Sequence, residues 1–150
     1  MKIEESFTVP AAIDKVWAVI TDPHKVAPCI PGCQGVEVTG PNTYKSRIRV
    51  GIGPINATFA VDIELTEQRP PHFLAATTRG EEGGRMSSIS AQSTLTLGPA
   101  PEGGTAVAYS SEVSVIGRLG KFGLGIMKKK AKALGDEFAA ALRKTIEAGA

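Results

Sequence analysis

The spacing of apolar residues changes three times along the chain, and each change marks a new kind of element. Phe7 and Val9 alternate with polar neighbours and close a short strand, and Pro10 suits the first turn of a helix. Ile13, Val16, Trp17 and Ile20 then recur at i, i+3, i+4 and i+7, which places them on one helical face. Asp22 before Pro23 has the form of an N-cap and first-turn proline, so a second, short helix is predicted towards Ala27. That helix ends before Pro28, because a proline ring disfavours helical backbone in the residue preceding it. From Val36 to Val115 the period is two. Gly40-Pro41-Asn42 separates strands 36–39 and 44–50, and turns at 51–54, 69–71, 81–84 and 99–104 delimit strands 55–67, 72–78, 86–97 and 105–116. Consecutive strands joined by short turns form an antiparallel meander.

A helical stripe returns after residue 119, in Met127, Ala131, Leu134, Phe138, Ala141, Leu142 and Ile146. Gly117, Gly120, Gly123 and Gly125 weaken its start, at about 1 kcal/mol for each helix-interior glycine relative to alanine. Residues 118–125 are therefore expected to be a mobile or partly helical lead-in, with regular helix from about Ile126. The elements add up to one α+β domain over residues 1–150: a seven-stranded antiparallel sheet, two short helices after the first strand, and a long C-terminal helix.

Period two also sorts the faces of the sheet. Tyr44, Ile48 and Val50 share the apolar phase with Ala57, Phe59, Val61, Ile63 and Leu65, and Lys45, Arg47, Arg49, Asp62 and Glu64 take the other. Small residues (Ser46, Ala57, Ala91, Ser93 and Ser111) are scattered through that apolar phase. Interiors are normally packed without voids larger than water, so small residues under a long helix predict close helix approach or a cavity. The cavity is the reading favoured here. Its expected lining is Ile30, Ile48, Phe59, Phe73, Ser93, Tyr109, Ser111, Leu119, Phe122 and Met127. The hydroxyls of Ser93, Tyr109 and Ser111 would orient a carbonyl or hydroxyl on an otherwise apolar ligand. The expected mouth is Ile30-Pro31-Gly32, the turn at 51–55 and the glycine-interrupted stretch 119–126.

Length, 42% hydrophobic content, 21% charge and a mean hydropathy of +0.00 describe an ordinary globular chain. No apolar run reaches the ~18 residues that span a bilayer. Met1-Lys2-Ile3-Glu4-Glu5 places acids where a secretion signal carries its apolar stretch, so the cytoplasm is the expected location. Two cysteines make no disulfide framework and are expected to be free thiols. The net charge of +2 hides an asymmetry: Arg118, Lys121, Lys128, Lys129, Lys130 and Lys132 fall in one stretch without an acid, leaving the rest net acidic. Lys121, Lys128, Lys129, Lys130 and Lys132 are expected to meet an anionic membrane surface or a partner, with Leu119, Phe122, Leu124, Ile126 and Met127 as insertable neighbours. A solvated helix face is the plainer alternative.

Val16-Trp17, Asp22-Pro23, Cys29-Ile30-Pro31-Gly32-Cys33 and Val50-Gly51-Ile52-Gly53-Pro54-Ile55 together resemble the G-subunit family of carbon monoxide dehydrogenase. That family belongs to the START-like (SRPBCC), helix-grip superfamily of ligand-binding domains. The resemblance runs from Phe7-Thr8-Val9-Pro10 to the last helix. It implies a curved sheet wrapped round the long helix, and a Cys-Ile-Pro-Gly-Cys run that is a structural signature. It also implies a non-enzymatic accessory protein that recruits a molybdenum hydroxylase of the carbon monoxide dehydrogenase type to the cytoplasmic membrane. A cavity beneath a basic, apolar lid adds an expectation from chemistry: a membrane quinone held non-covalently, with no covalent cofactor. Many longer relatives carry a tail beyond the domain; this sequence stops at Ala150, so transient, peripheral membrane contact is expected.

Other chemistries find little support. Cys29 and Cys33 with His24 and His72 lack metal-ligand spacing, and neither thiol has an evident base. Gly51-Ile52-Gly53-Pro54 lacks the third glycine and the strand-to-helix setting of a dinucleotide site. Aromatic content of 5% and the absence of a reading motif argue against nucleic acid. Asp14, Asp22, Asp62 and Glu112 fall on caps or outward phases, so no carboxylate pair is expected in the cavity. The rival reading, a START-like cyclase or hydrolase acting on an aromatic or polyketide-like substrate, requires an inward acid or base.

Overall fold

The computed structural model describes residues 1–148. Strand β1 (Lys2–Val9) leads into helix α1 (Ile13–Ile20), helix α2 (Pro23–Val26) and a 3₁₀ turn, Ala27–Cys29. Strands β2 (Cys33–Gly40), β3 (Thr43–Ile52), β4 (Ile55–Arg69), β5 (Phe73–Glu82), β6 (Ser87–Pro99) and β7 (Thr105–Gly117) follow. A 3₁₀ strap, Arg118–Phe122, then precedes helix α3 (Leu124–Ala148). The sheet is antiparallel throughout, in the order β1-β7-β6-β5-β4-β3-β2, so the meander from β2 to β7 is completed by β1 on its far edge.

Local chemistry explains most boundaries. The Asp22 carboxylate accepts from the His24 N–H at 3.0 Å, capping α2 with Pro23 in its first turn. Helix α1 begins only at Ile13, so Pro10 precedes the helix instead of lying in its first turn. The helical backbone does not stop before Pro28, since Ala27 keeps αR dihedrals and the chain stays hydrogen-bonded past both Pro28 and Pro31. Ala27–Cys29 winds into a 3₁₀ turn, Ile30 donates to Ala27 O at 3.1 Å, and Cys33 donates to Ile30 O at 3.1 Å. Gly32 is required there: its φ is +79°, and a Cβ would sit 2.0 Å from the Arg49 carbonyl oxygen. The β3–β4 turn narrows to Gly53-Pro54 because Ile52 pairs with Ile55. β5 runs on past residue 78 to Glu82, its Gly80 lying flat between Val61 and Ile89.

Two apolar clusters fill the concave side. The first gathers Val9, Val16, Val19, Ile20, Leu97 and Val107 with Leu142 and Ile146 of α3, and Trp17 and Phe138 pack against it. The second gathers Ile52, Ala57, Phe59 and Val61 with Leu119 of the strap, backed by Phe122 and Met127. Helix α3 lies against β1, α1 and the Ala27–Cys29 turn, leaning to one side of the sheet. Arg143 fixes that lean by donating to Thr8 O at 3.2 Å and stacking over Phe7 at 5.7 Å.

Candidate ligand cavity

A cavity of about 290 Å³ lies between the two clusters. Its floor is the inward phase of five strands: Tyr44, Ser46 and Ile48; Ile63 and Leu65; Leu74 and Ala76; Ser93 and Leu95; Tyr109. Phe138 of α3 overhangs it, and Ile20, Pro23, Val26, Ala27 and Ile30 form its wall on the helical side. The small residues of the apolar phase thus leave room where Ser46, Ala76 and Ser93 lie, because α3 leans towards β1 and leaves β3 to β5 open.

Three hydroxyls of the wall, those of Thr21, Ser46 and Ser93, are engaged. Ser93 Oγ and Ser111 Oγ share a hydrogen bond of 2.8 Å, Ser46 donates to Gly35 O at 2.6 Å, and Thr21 donates to Trp17 O at 2.7 Å. Cys33 borders the cavity with its thiol 3.2 Å from Ser46 Oγ, whereas Cys29 is buried with its sulfur 3.3 Å from Thr145 Oγ1. Both cysteines are free.

Tyr109 differs from these. Its ring meets Phe138 edge-on at 5.8 Å between centroids, and its hydroxyl lies beneath Gly135 of α3. A Cβ on Gly135 would come within 2.7 Å of that oxygen and within 3.2 Å of Glu5 Cγ. Burial, and then the negative charges of Glu5 and Asp136, push the Tyr109 hydroxyl up to about 12. Protonated at neutral pH like any tyrosine, it is a donor with no hydrogen-bonding partner among the described residues.

The expected lining divides into three groups. Ile30, Ile48, Ser93 and Tyr109 border the cavity, and Ser111 stands behind Ser93. Phe59, Leu119, Phe122 and Met127 belong to the neighbouring cluster, where Leu119 is 2% exposed and Phe59 4%. Phe73 faces the other way: it pairs with Thr96 and carries the Arg69 guanidinium 4.3 Å above its ring. Leu74, one residue on, takes the inward position, since successive residues of a strand point to opposite faces. The expected mouth is split too, with Ile30 on the cavity wall and the β3–β4 turn packed beneath Phe122, 3.7 Å from a Cβ on Gly53.

The lysines also divide. Lys121, Lys128 and Lys129 are exposed and Lys130 half-buried. Lys132 is exposed as well but paired, its ammonium 3.3 Å from Asp136 and 3.5 Å from Glu5. Met86 and Ile116, 53% and 66% exposed, flank the turn at Gly117, and Ile126 is 52% exposed just beyond the strap. Sequence reasoning passed over Glu5, although Ile3, Glu5, Phe7 and Val9 share one phase of β1 and the Glu5 side chain is only 14% exposed. It passed over Glu82 as well, which is buried and paired with Arg118. The Arg118 guanidinium holds the Glu82 carboxyl below the ordinary glutamate range, against the opposing effect of burial. Among the described residues no three His, Cys, Asp or Glu side chains gather about a point, and no helix is long and apolar enough to cross a membrane.

A curved antiparallel sheet closed by a C-terminal helix, with a cavity between them, defines a START-like helix-grip domain. Within that class the chain belongs to the carbon monoxide dehydrogenase G-subunit (CoxG) family, whose model matches residues 6–147. Among solved structures it is similar to a conserved protein from Geobacillus kaustophilus, with 25% identity, 98% of this chain and 95% of that one covered, and a TM-score of 0.89. A START superfamily protein from Mycobacterium smegmatis shares the fold at 13% identity, with 99% of each chain covered and a TM-score of 0.77. So does the Zhui aromatase/cyclase from Streptomyces sp. R1128, at 17% identity, 98% and 93% coverage and a TM-score of 0.69. No curated protein matches the sequence.

Proposed function

We propose that this protein is a non-enzymatic accessory subunit of a molybdenum hydroxylase of the carbon monoxide dehydrogenase type. In this reading it holds a membrane quinone in the cavity and recruits the enzyme to the membrane. Family membership supports the partnership. The observation that carries the ligand is the free, protonated Tyr109 hydroxyl at the edge of an otherwise apolar cavity. A quinone is an apolar ring with carbonyl oxygens that need donors; Tyr109 supplies one, and the Ser93–Ser111 pair has one proton to spare. An apolar cavity of about 150 Å³ accommodates benzene; about 290 Å³ takes a substituted ring but not a long tail. Exposed Met86, Ile116 and Ile126 beside Lys121, Lys128 and Lys129 support peripheral contact with an anionic leaflet, at ~1 kcal/mol per basic residue.

The test is a titration of delipidated protein with a short-chain quinone, following Trp17 fluorescence and thermal shift. Saturable binding with stabilisation is expected, and Tyr109→Phe should weaken it by roughly tenfold, the worth of one hydrogen bond. A folded, empty protein that binds no quinone defeats the reading.

The cyclase alternative gains one observation, the inward carboxylate of Glu5 near Tyr109. Against it, Glu5 is occupied by Lys132 and does not border the cavity. Turnover of an aromatic or polyketide-like substrate that disappears in Glu5→Gln would reverse the preference.

A further inference from the structure

The inward rows that floor the cavity continue beyond it. On β3, Tyr44, Ser46 and Ile48 are followed by Val50 and Ile52; on β4, Leu65 and Ile63 are followed by Val61, Phe59 and Ala57. The cavity ends because the strap covers the second half of these rows, with Leu119 buried on them and Phe122 beside it. The strap is short and jointed. Gly117 and Gly123 bound it at φ of 101° and 86°, a region that other residues enter only under strain. No strand ladder holds it. Its ties are the Arg118–Glu82 ion pair, with Nε 2.9 Å from Oε1, the Arg118 Nη2 on Asn56 O at 3.5 Å, the Arg118 N–H on Met86 O at 2.9 Å, and the Leu119 N–H on Ser87 Oγ at 3.2 Å.

We infer that residues 118–122 are a plug, with Leu119 and Phe122 standing in for the apolar tail of the ligand, and that a long-tailed ligand binds by displacing them. The inference rests on the reading that the cavity takes an apolar ligand, and it supplies what that cavity lacks, a path for the tail. Displacement exchanges like for like, because the tail takes over the contacts with Ile52, Ala57 and Phe59 that the two side chains give up. The released Leu119 and Phe122 then emerge beside Lys121, exposed Ile126 and Lys128, where a bilayer would receive them. Loading and membrane contact would thereby favour each other reciprocally.

Hydrogen exchange at the Arg118 and Leu119 amides tests this with three probes: 2,3-dimethoxy-5-methylbenzoquinone, its decyl derivative, and dodecanol. The decyl quinone and dodecanol are expected to accelerate exchange at these amides by tenfold or more, whereas the tail-less quinone leaves them unchanged. Glu82→Gln, which removes the ion pair at Arg118, should tighten decyl quinone binding by about tenfold without changing binding of the tail-less ring. If dodecanol opens the strap while neither quinone binds, the quinone reading fails and the plug stands. Long-chain probes that bind with both amides as protected as before overturn the plug, as does a protein that binds none of the three.

Discussion

Where the last turns of α3 cross β1, Leu142 and Ile146 are wholly buried among Val9, Val16 and Val107. Its first turns carry an exposed Ile126 and a lysine run, and the chain reaches them through a strap held by an ion pair and three hydrogen bonds. The same sheet thus makes two kinds of interface with one helix. At the packed end, side chains from α1, α3, β1, β6 and β7 interlock, and removing any one leaves a void the others cannot fill. At the strapped end the covering residues come from one jointed segment that can leave as a unit. The cavity lies at the junction, which suits a binding protein: one end supplies the stability that allows the other to open.

The same substitution at each end gives the largest and the most direct contrast. Leu142→Ala should cost about 3–5 kcal/mol in urea unfolding, because the helix is pinned on both sides and the cavity persists. Leu119→Ala removes an equally buried side chain, yet should cost only about 1–2 kcal/mol, since the strap can settle or swing away. Exchange should show the difference in kind. Leu119→Ala is expected to raise exchange in 118–122 and leave α3 near Leu142 protected, whereas Leu142→Ala lowers protection everywhere. Equal global losses from the two variants would mean the strap is part of one cooperative core.

The junction itself is probed by Gly135→Ala. Alanine favours the helix by about 1 kcal/mol over glycine, but its Cβ would meet Tyr109 Oη at 2.7 Å and Glu5 Cγ at 3.2 Å. The tyrosine is the movable party, so its ring should turn towards the cavity, leaving stability within about 1 kcal/mol of the parent. Quinone affinity should fall by about tenfold as the cavity fills. Unchanged affinity in a folded Gly135→Ala protein would show that the space beside Tyr109 is not used.

This asymmetry was partly legible in the sequence. Periods of two and 3.6 and the spacing of turns carry the seven strands and the long helix, because both clusters impose their phase on the chain. The glycines at 117 and 123 mark the strap as a separate piece. Its packing on Phe59 was not legible, since no local pattern says which half of an apolar row a distant segment will cover. Phe73 went astray for the opposite reason: with Leu74 next to it, hydrophobicity alone cannot choose a phase, and the pairing of Leu74 with Leu95 decides it. Glu5 and Gly135 were legible in principle. An acid in phase with Ile3, Phe7 and Val9, and a glycine in the middle of a strong helix, each break a local rule where α3 passes over the side chains of Glu5 and Tyr109.

The smallest effect expected is a dependence on pH confined to the strapped end. Glu82 titrates below the ordinary glutamate range, chiefly because Arg118 hydrogen-bonds the charged carboxylate. A carboxyl whose folded pKa is depressed stabilises the fold above its unfolded pKa, and that contribution is lost as the pH falls through the folded value. Acidification into that range should therefore loosen residues 118–122 first. Exchange at the Arg118 and Leu119 amides, corrected for the intrinsic rate, should rise as the pH falls, while amides near Leu142 and Ile146 keep their protection. Glu82→Gln has no charge to lose, so its strap should be loose at neutral pH and indifferent to acid. A strap that opens in acid to the same extent in Glu82→Gln would assign the dependence to another carboxylate and leave the ion pair no part in holding it closed.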